Sequence, residues 1–185
     1  PDIPAQELAR LLQPYGGVAL LADTGGKIST EIRQKELRDA GLSVEVLENA
    51  SGDWIRVTRA PIPGSGEWTH QYGHPDNAAS SYDNLQGATR TDELEVQWIG
   101  KPGPNAMVDR NPRPPAPLST RGRLFTQGLN RIITQDAYNG TILWTAEIPA
   151  LQRYNMPRDC GNCCADRDFL YTAVLNHAWR WDAAS

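Results

Sequence analysis

The chain repeats itself at a spacing of 46 residues, and this repeat restricts the folds open to its second half. Residues 121–139 align with residues 167–185 without a gap, and seven of the nineteen pairs are identical. The identical pairs are Arg121/Arg167, Leu124/Leu170, Thr126/Thr172, Leu129/Leu175, Asn130/Asn176, Asp136/Asp182 and Ala137/Ala183. The same shift places Trp98 over Trp144. Such self-similarity predicts structural units that stack against one another.

Each copy of the repeat is typical of short strands joined by tight turns. Residues 124–126, 131–134 and 141–144 are strand-like, and residues 136–140 form a turn between the last two segments. Asp136 is suited to accept backbone N–H groups across that turn, and Gly140 is suited to a positive φ. A period of about 40 to 50 residues with such strands predicts one four-stranded propeller blade.

The spacing of Asp136, Gly140 and Trp144, D-x-x-x-G-x-x-x-W, resembles a family motif. It is similar to the tryptophan-docking motif of pyrroloquinoline-quinone (PQQ) dehydrogenase propellers and of their cofactor-free relatives. That motif reads roughly A-x-D-x-x-T-G-x-x-x-W, and this chain departs from it at Thr134 and Asn139. The resemblance implies a partial β-propeller of the quinoprotein type.

The resemblance also implies how the propeller is divided along the chain. Trp98 and Trp144 are expected to pack between neighbouring blades, with Trp98 on an outer strand near residues 94–99. Asp182 begins a second copy of the motif, which stops one residue before its glycine. We therefore expect a fragment whose partners are the remaining propeller blades. Residues 67–73 resemble the W-x-x-x-x-G segment that often opens this fold.

Residues 1–60 predict a small α/β segment instead. Their pattern favours a helix over 7–13, a strand over 17–22 buried on both faces, and a helix over 31–40. Two further strands, 43–48 and 54–59, are joined by a hairpin turn. The order, with the text of residues 11–18 and 37–42, resembles the end of a class I methyltransferase domain, which is Rossmann-like. The family's S-adenosylmethionine site lies in the earlier half of that domain and is not present in this segment.

The predicted fold class is therefore mixed. A Rossmann-like α/β tail over 1–60 is followed by a proline- and glycine-rich linker over 61–117, which also opens the propeller. Residues 118–185 supply about one and a half all-β blades.

Candidate cofactor-binding residues lie where consecutive repeats differ. Residues 105–117 and 151–163 hold matching places, which the resemblance puts at the channel mouth. The polar candidates there are Asp109, Arg110, Asn111, Arg113, Asn155, Arg158 and Asp159. Arginine and asparagine suit an anionic quinone or another small polar ligand. The alternative is a proline-stiffened loop with solvated charges.

Cys163 and Cys164 are adjacent, as are the cysteines of the eight-membered disulfide ring that covers the quinone in PQQ alcohol dehydrogenases. The resemblance makes them candidate cofactor residues, while small buried side chains beside a strand are the alternative. No metal site is predicted, because Cys160 and Cys163 lack a second ligand pair. His70 and His74 are four apart, but Gly73 and Pro75 disfavour a helix there.

Three functions stay open from the sequence. The first is a quinoprotein oxidoreductase that uses PQQ and a divalent cation to oxidise alcohols or sugars, although we expect this segment alone to be inactive. The second is a cofactor-free propeller that acts as a protein- or ligand-binding scaffold. The third is a recognition module attached to an S-adenosylmethionine-dependent methyltransferase.

Charge and hydropathy limit the partners. A net charge of −4 and a pI near 5.4 predict no nucleic-acid partner. No stretch approaches the roughly 18 apolar residues of a membrane span. Most quinoprotein propellers are periplasmic or otherwise extracytoplasmic, and the sequence itself sets no compartment.

Overall fold

The computed structural model describes residues 3–22, 31–47, 54–101, 116–151 and 162–185. The chain divides into two compact units, Pro1–Ile62 and Pro63–Ser185. The first unit contains α1 (Ala5–Leu11), β1 (Val18–Ala22), α2 (Glu31–Asp39), β2 (Leu42–Leu47) and β3 (Trp54–Arg59).

Sheet 1 of the first unit has the strand order β1-β3-β2. Because β3 is antiparallel to both neighbours, β1 and β2 run in the same direction. A connection between two parallel strands requires a crossover, and α2 lies within it. The third strand returns between the two, so the unit is a split β-α-β arrangement closed by a β2–β3 pair.

The core of the first unit lies between the helices and one face of sheet 1. Its buried members are Leu8, Ala9, Leu37, Leu42, Ile55 and Val57. Ala19 and Leu21 pack against this core, whereas Val18 and Leu20 are exposed. The prediction that this strand is buried on both faces is therefore wrong. One face of β1 packs against the helices, and none of the described residues covers its other face.

Helix α1 begins two residues earlier than the apolar spacing predicts. Pro4 occupies its N-cap, where a missing N–H costs nothing, and the chain turns extended at Leu12. Helix α2 ends before Gly41, whose φ of +80° is the left-handed conformation that glycine commonly adopts just after a helix.

The second unit holds two antiparallel sheets built from consecutive strands. Sheet 2 has the order β4-β5-β6-β7, and sheet 3 the order β10-β9-β8. The strands are β4 (Leu118–Thr120), β5 (Arg123–Gly128), β6 (Arg131–Asp136), β7 (Ile142–Glu147), β8 (Cys163–Ala165), β9 (Phe169–Val174) and β10 (His177–Asp182). The matching strands β5 and β9, and β6 and β10, begin 46 residues apart, so the sequence repeat is also a structural repeat.

One core joins the two sheets of this unit. Its buried members are Leu118, Phe125, Ile132, Ile148, Leu151, Ala165, Leu170, Val174 and Ala183. Trp68, Trp144 and Trp181 pack against it while remaining partly exposed. The sheets therefore stack face to face, as repeats that cannot bury their apolar faces alone must do.

Residues 63–101 carry little regular structure beyond short 3₁₀ turns at Leu85–Gly87 and Thr91–Glu93. The predicted outer strand near 94–99 is not formed. A strand needs a partner for its backbone groups, and none of the described strands pairs with these residues.

Within its described parts, the chain is thus mostly β, with three antiparallel sheets and two α-helices. No sheet closes on itself there. None of the helices in these parts has the length and apolar character needed to cross a membrane.

Candidate functional site

The segment Glu67–Gly73 links the edge strands of sheets 2 and 3. Trp68 and Ser119 of β4 exchange two backbone hydrogen bonds of 2.7 Å. The N–H of Ala165 in β8 donates to the carbonyl of Thr69 at 2.9 Å. This segment, which resembles the opening of a propeller, is therefore hydrogen-bonded to both β4 and β8.

Glu67 fastens this segment to sheet 2. Its carboxylate accepts the Thr120 hydroxyl at 2.9 Å and the backbone N–H of Arg121 at 3.2 Å. No sequence pattern distinguished Glu67 from the solvated acidic residues of the chain, because both donors lie more than 50 residues away.

The two repeat tryptophans make the same contact one repeat apart. The indole N–H of Trp98 donates to the carbonyl of Ala137 at 2.9 Å, and that of Trp144 to the carbonyl of Ala183 at 3.2 Å. Donors and acceptors are thus both related by 46 residues. Trp144 connects sheet 2 to the turn after β10 and lies 6.3 Å from the ring of Phe125.

Gly140 makes room for the Trp98 ring. A Cβ atom on this glycine would lie 2.5 Å from Cε3 of Trp98, and the residue adopts a φ of +77°. The preceding turn has the hydrogen bonds that its sequence predicts. Oδ1 of Asp136 accepts the N–H of Tyr138 at 2.7 Å and of Asn139 at 3.1 Å.

Cys163 and Cys164 lie on the edge strand β8 as free thiols. The Cys163 thiol donates to Oε1 of Gln127 at 3.5 Å and lies 3.7 Å from Oδ1 of Asn162. Burial, with a smaller contribution from Cys164, raises the pKa of Cys163 to about 12. Burial and then Asp166 also raise the pKa of Cys164. Both groups are therefore neutral near pH 7 and are poor nucleophiles.

The strand pairing of β8 determines what the cysteine pair can do. Cys163 pairs with Thr172 and Cys164 with Tyr171. Successive side chains of a strand point to opposite faces, so this geometry separates the two thiols. A disulfide ring between adjacent cysteines would require the strand to depart from this pairing.

The other cofactor candidates, Asp109, Arg110, Asn111, Arg113, Asn155, Arg158 and Asp159, lie outside the described residues. Of the candidate set, the structure therefore describes Cys163 and Cys164. Within the same described ranges, no three His, Cys, Asp or Glu side chains gather as metal ligands.

The histidines four residues apart have separate partners. Nδ1 of His70 lies 2.9 Å from the Thr69 hydroxyl, while the His74 ring packs 5.0 Å from the Tyr82 ring. The Tyr82 hydroxyl donates to the Asp76 carboxylate, which lowers the pKa of Asp76. This cluster stabilises the loop. No sequence pattern indicated that Tyr82 belongs to it.

The described residues of the second unit line a small cavity and a larger one. A small one of about 20 Å³ lies between sheets 2 and 3. A larger open concavity of about 490 Å³ lies on sheet 3. It is lined by His70, Gln71, Asn77, Asn162, Cys163, Cys164, Tyr171, Thr172, Ala173, Ala178, Trp179 and Arg180.

Comparison with known proteins gave no match for this chain among protein families, curated proteins or solved structures.

Proposed function

We propose that the chain forms part of a β-propeller of the quinoprotein type, and that this propeller is a cofactor-free binding scaffold. The observation that carries the proposal is the doubled tryptophan contact, from Trp98 to Ala137 and from Trp144 to Ala183. Each contact joins one repeat to the next at the same atoms. Consecutive antiparallel strands stacked in this way are the construction of propeller blades.

The cysteine pair supports the cofactor-free form. A ring that covers a quinone needs both sulfur atoms on one side, whereas β8 separates them. Cys163 instead packs into the interface between the sheets, where its thiol donates to Gln127. The described residues therefore do not fit the covering ring of a quinone site.

The test uses the complete protein that carries this chain. PQQ and calcium are added together, and the reduction of an artificial electron acceptor is followed with primary alcohols and sugars as substrates. A scaffold gives no dye reduction and no change in tryptophan fluorescence. Quinone-dependent dye reduction that is lost in Cys163→Ala would overturn the proposal.

The second candidate is a PQQ-dependent oxidoreductase that acts on alcohols or sugars. It is supported by the position of the adjacent cysteines on an edge strand beside the segment that joins β4 and β8. In this form Arg110, Asn111, Arg113, Asn155, Arg158 and Asp159 would contribute to the cofactor site. The same dye assay tests it, with the opposite outcome.

The third candidate is a recognition module attached to a methyltransferase. It is supported by sheet 1, whose parallel strands β1 and β2 flank the antiparallel β3. The complete protein would then bind S-adenosylmethionine through residues outside this chain. Equilibrium dialysis with labelled S-adenosylmethionine tests the candidate, and failure to retain the label would overturn it.

A further inference from the structure

Asn139 and Gly140 form the one asparagine–glycine pair in the sequence. The motif that residues 134–144 resemble has threonine at the place of Asn139, so this departure puts a primary amide next to a glycine nitrogen. The nitrogen of a glycine is the most open backbone nucleophile, because no Cβ atom shields it. Among the asparagines of the chain, Asn139 is therefore sterically the best placed for ring closure.

Ring closure at this pair gives a succinimide and releases ammonia. The Gly140 nitrogen loses its proton to water or hydroxide and bonds to Cγ of Asn139. The bond from Cγ to Nδ2 then breaks, and the departing nitrogen takes up a proton and leaves as ammonia. Water opens the ring at either of its carbonyl carbons, which leaves aspartate or isoaspartate. The net reaction consumes water, and nothing is oxidised or reduced.

The folded turn holds both reacting groups in other bonds. The N–H of Gly140 donates to the carbonyl of Asp136 at 2.9 Å. Oδ1 of Asn139 accepts the N–H of Thr141 at 2.9 Å, which directs the side-chain amide toward that backbone. The Asp136 carboxylate accepts the Asn139 N–H at 3.1 Å, and its negative charge opposes removal of a proton from the neighbouring amides. Attack by the Gly140 nitrogen therefore requires the turn to open.

We propose that Asn139 is a deamidation site that the turn at residues 136–140 holds closed, and that its modification keeps the turn open. Asn139 is exposed, so water reaches the pair as soon as the turn opens. Isoaspartate adds a carbon atom to the backbone between residue 139 and Gly140. The site acts once, because the released ammonia does not return.

The longer backbone affects the contact between repeats. The Gly140 carbonyl accepts the side-chain amide of Gln135 at 3.0 Å, and an added Cβ on Gly140 would lie 2.5 Å from the Trp98 ring. An additional backbone atom next to Gly140 disrupts these contacts together with the bond from Gly140 to Asp136. Modification of Asn139 should therefore release Trp98 from the turn.

The first test compares the reaction of Asn139 in the folded and the unfolded chain. The chain is incubated in mildly alkaline buffer with and without denaturing urea. Deamidation is followed by peptide mass spectrometry, and isoaspartate is identified by enzymatic methylation. We expect Asn139 to react at least about tenfold more slowly in the folded chain. Equal rates in the two states would overturn the proposal, and this comparison requires no variant.

Asp136→Ala tests whether the turn itself controls the reaction. It removes the acceptor of two N–H groups of the turn, and we expect deamidation of Asn139 in the folded chain to accelerate by about fivefold or more. Asp166→Ala is the matched control, because Asp166 accepts the N–H groups of Asp168 and Phe169 in another turn of the same unit. Equal acceleration in both variants would mean that global unfolding sets the rate, which overturns the proposal.

The modified chain tests the second half of the proposal. The isoaspartate form is isolated chromatographically, and its hydrogen exchange is measured over residues 131–142. We expect protection there to fall by about tenfold or more, whereas Asn139→Asp, which has the same charge and a normal backbone, retains it. Full protection in the isoaspartate form would contradict the expected opening of the turn. These results are independent of the dye assay, because the reaction requires no particular function of the chain.

Discussion

Gly140 and Trp98 illustrate how one residue position joins a turn to a packing contact. The glycine has a φ of +77°, and an added Cβ would lie 2.5 Å from the Trp98 ring. Backbone strain and steric overlap thus act at the same place. The glycine of the D-x-x-x-G-x-x-x-W pattern is required for both reasons.

We expect Gly140→Ala to destabilise the second unit by about 2–4 kcal/mol, because strain and overlap add. Urea unfolding followed by tryptophan fluorescence measures the loss. Gly87→Ala separates the two causes, since Gly87 has a φ of +83° and nothing within 4 Å of an added Cβ. An equal loss in both variants would show that contact with Trp98 contributes nothing.

The buried thiol of Cys163 should make the stability of the second unit depend on pH in the alkaline range. Burial raises its pKa from about 9 to about 12, so the folded state holds the proton more tightly than the unfolded state. The stabilisation is complete below pH 9 and is lost as the pH rises toward about 12. Cys163→Ala should therefore lose less stability than the wild type between pH 9 and about 11.

The free energy of unfolding in urea at several pH values checks this prediction. Cys164→Ala is the matched control, because its thiol is less buried. Parallel pH profiles for the wild type and Cys163→Ala would contradict a buried, protonated thiol in the interface.

At the scale of the element, the turn between β6 and β7 depends on one carboxylate. Asp136 is 3% exposed and accepts two backbone N–H groups of the turn. Asp136→Ala leaves both donors without this acceptor, and we expect a loss of about 1–3 kcal/mol in unfolding free energy. The side-chain oxygen of the neighbouring Asn139 accepts the N–H of Thr141 at 2.9 Å.

Asn139→Ala is therefore the control for the turn, with an expected loss of about 1 kcal/mol or less. Hydrogen exchange of residues 137–142 reports the local effect separately from global stability. If both variants exchange alike, the carboxylate does not organise the turn.

The elements themselves were predictable to different degrees. Strand β3, Trp54–Arg59, has the predicted bounds, and the helices differ by one or two residues at their ends. The outer strand near 94–99 was wrong, because alternating side chains do not supply a hydrogen-bonding neighbour. Strand β8 was not predicted, because the sequence of Cys163–Ala165 carries no strand signal. These residues form a strand through their pairing with β9.

At the scale of the whole molecule, the two units have separate cores. The buried residues of the first unit and those of the second share no member. A substitution in one core should therefore lower the stability of that unit alone. Hydrogen exchange with peptide resolution can follow each unit in the same sample.

Trp144→Ala is expected to destabilise the second unit by about 3–5 kcal/mol and to leave protection of the first unit unchanged. It removes an aromatic group from the interface and its hydrogen bond to Ala183. Leu37→Ala is the reciprocal control, since Leu37 is fully buried in the first core. Loss of protection in both units from Trp144→Ala would show that the cores are coupled.

Some residues of the candidate site are positioned by the local sequence, and others by contacts with residues distant in the chain. The motif identified Asp136, Gly140 and Trp144, whose spacing is fixed within one turn and one strand, and the repeat added Trp98. It gave no indication of Glu67, whose role depends on Thr120 and Arg121. The sequence shows that the two cysteines are adjacent, but the pairing of β8 with β9 sets the direction of each thiol.

The sequence by itself determined the period of 46 residues, the turn at 136–140 and the need for glycine at its end. These features depend on backbone preferences and on hydrogen bonds among neighbouring residues, both of which are encoded in the local sequence. Only the tertiary structure decided that one face of β1 is exposed, that Cys163 and Cys164 point apart, and that Glu67 binds Thr120 and Arg121. Burial and strand pairing depend on residues distant in the chain, so identical local patterns acquire different surroundings.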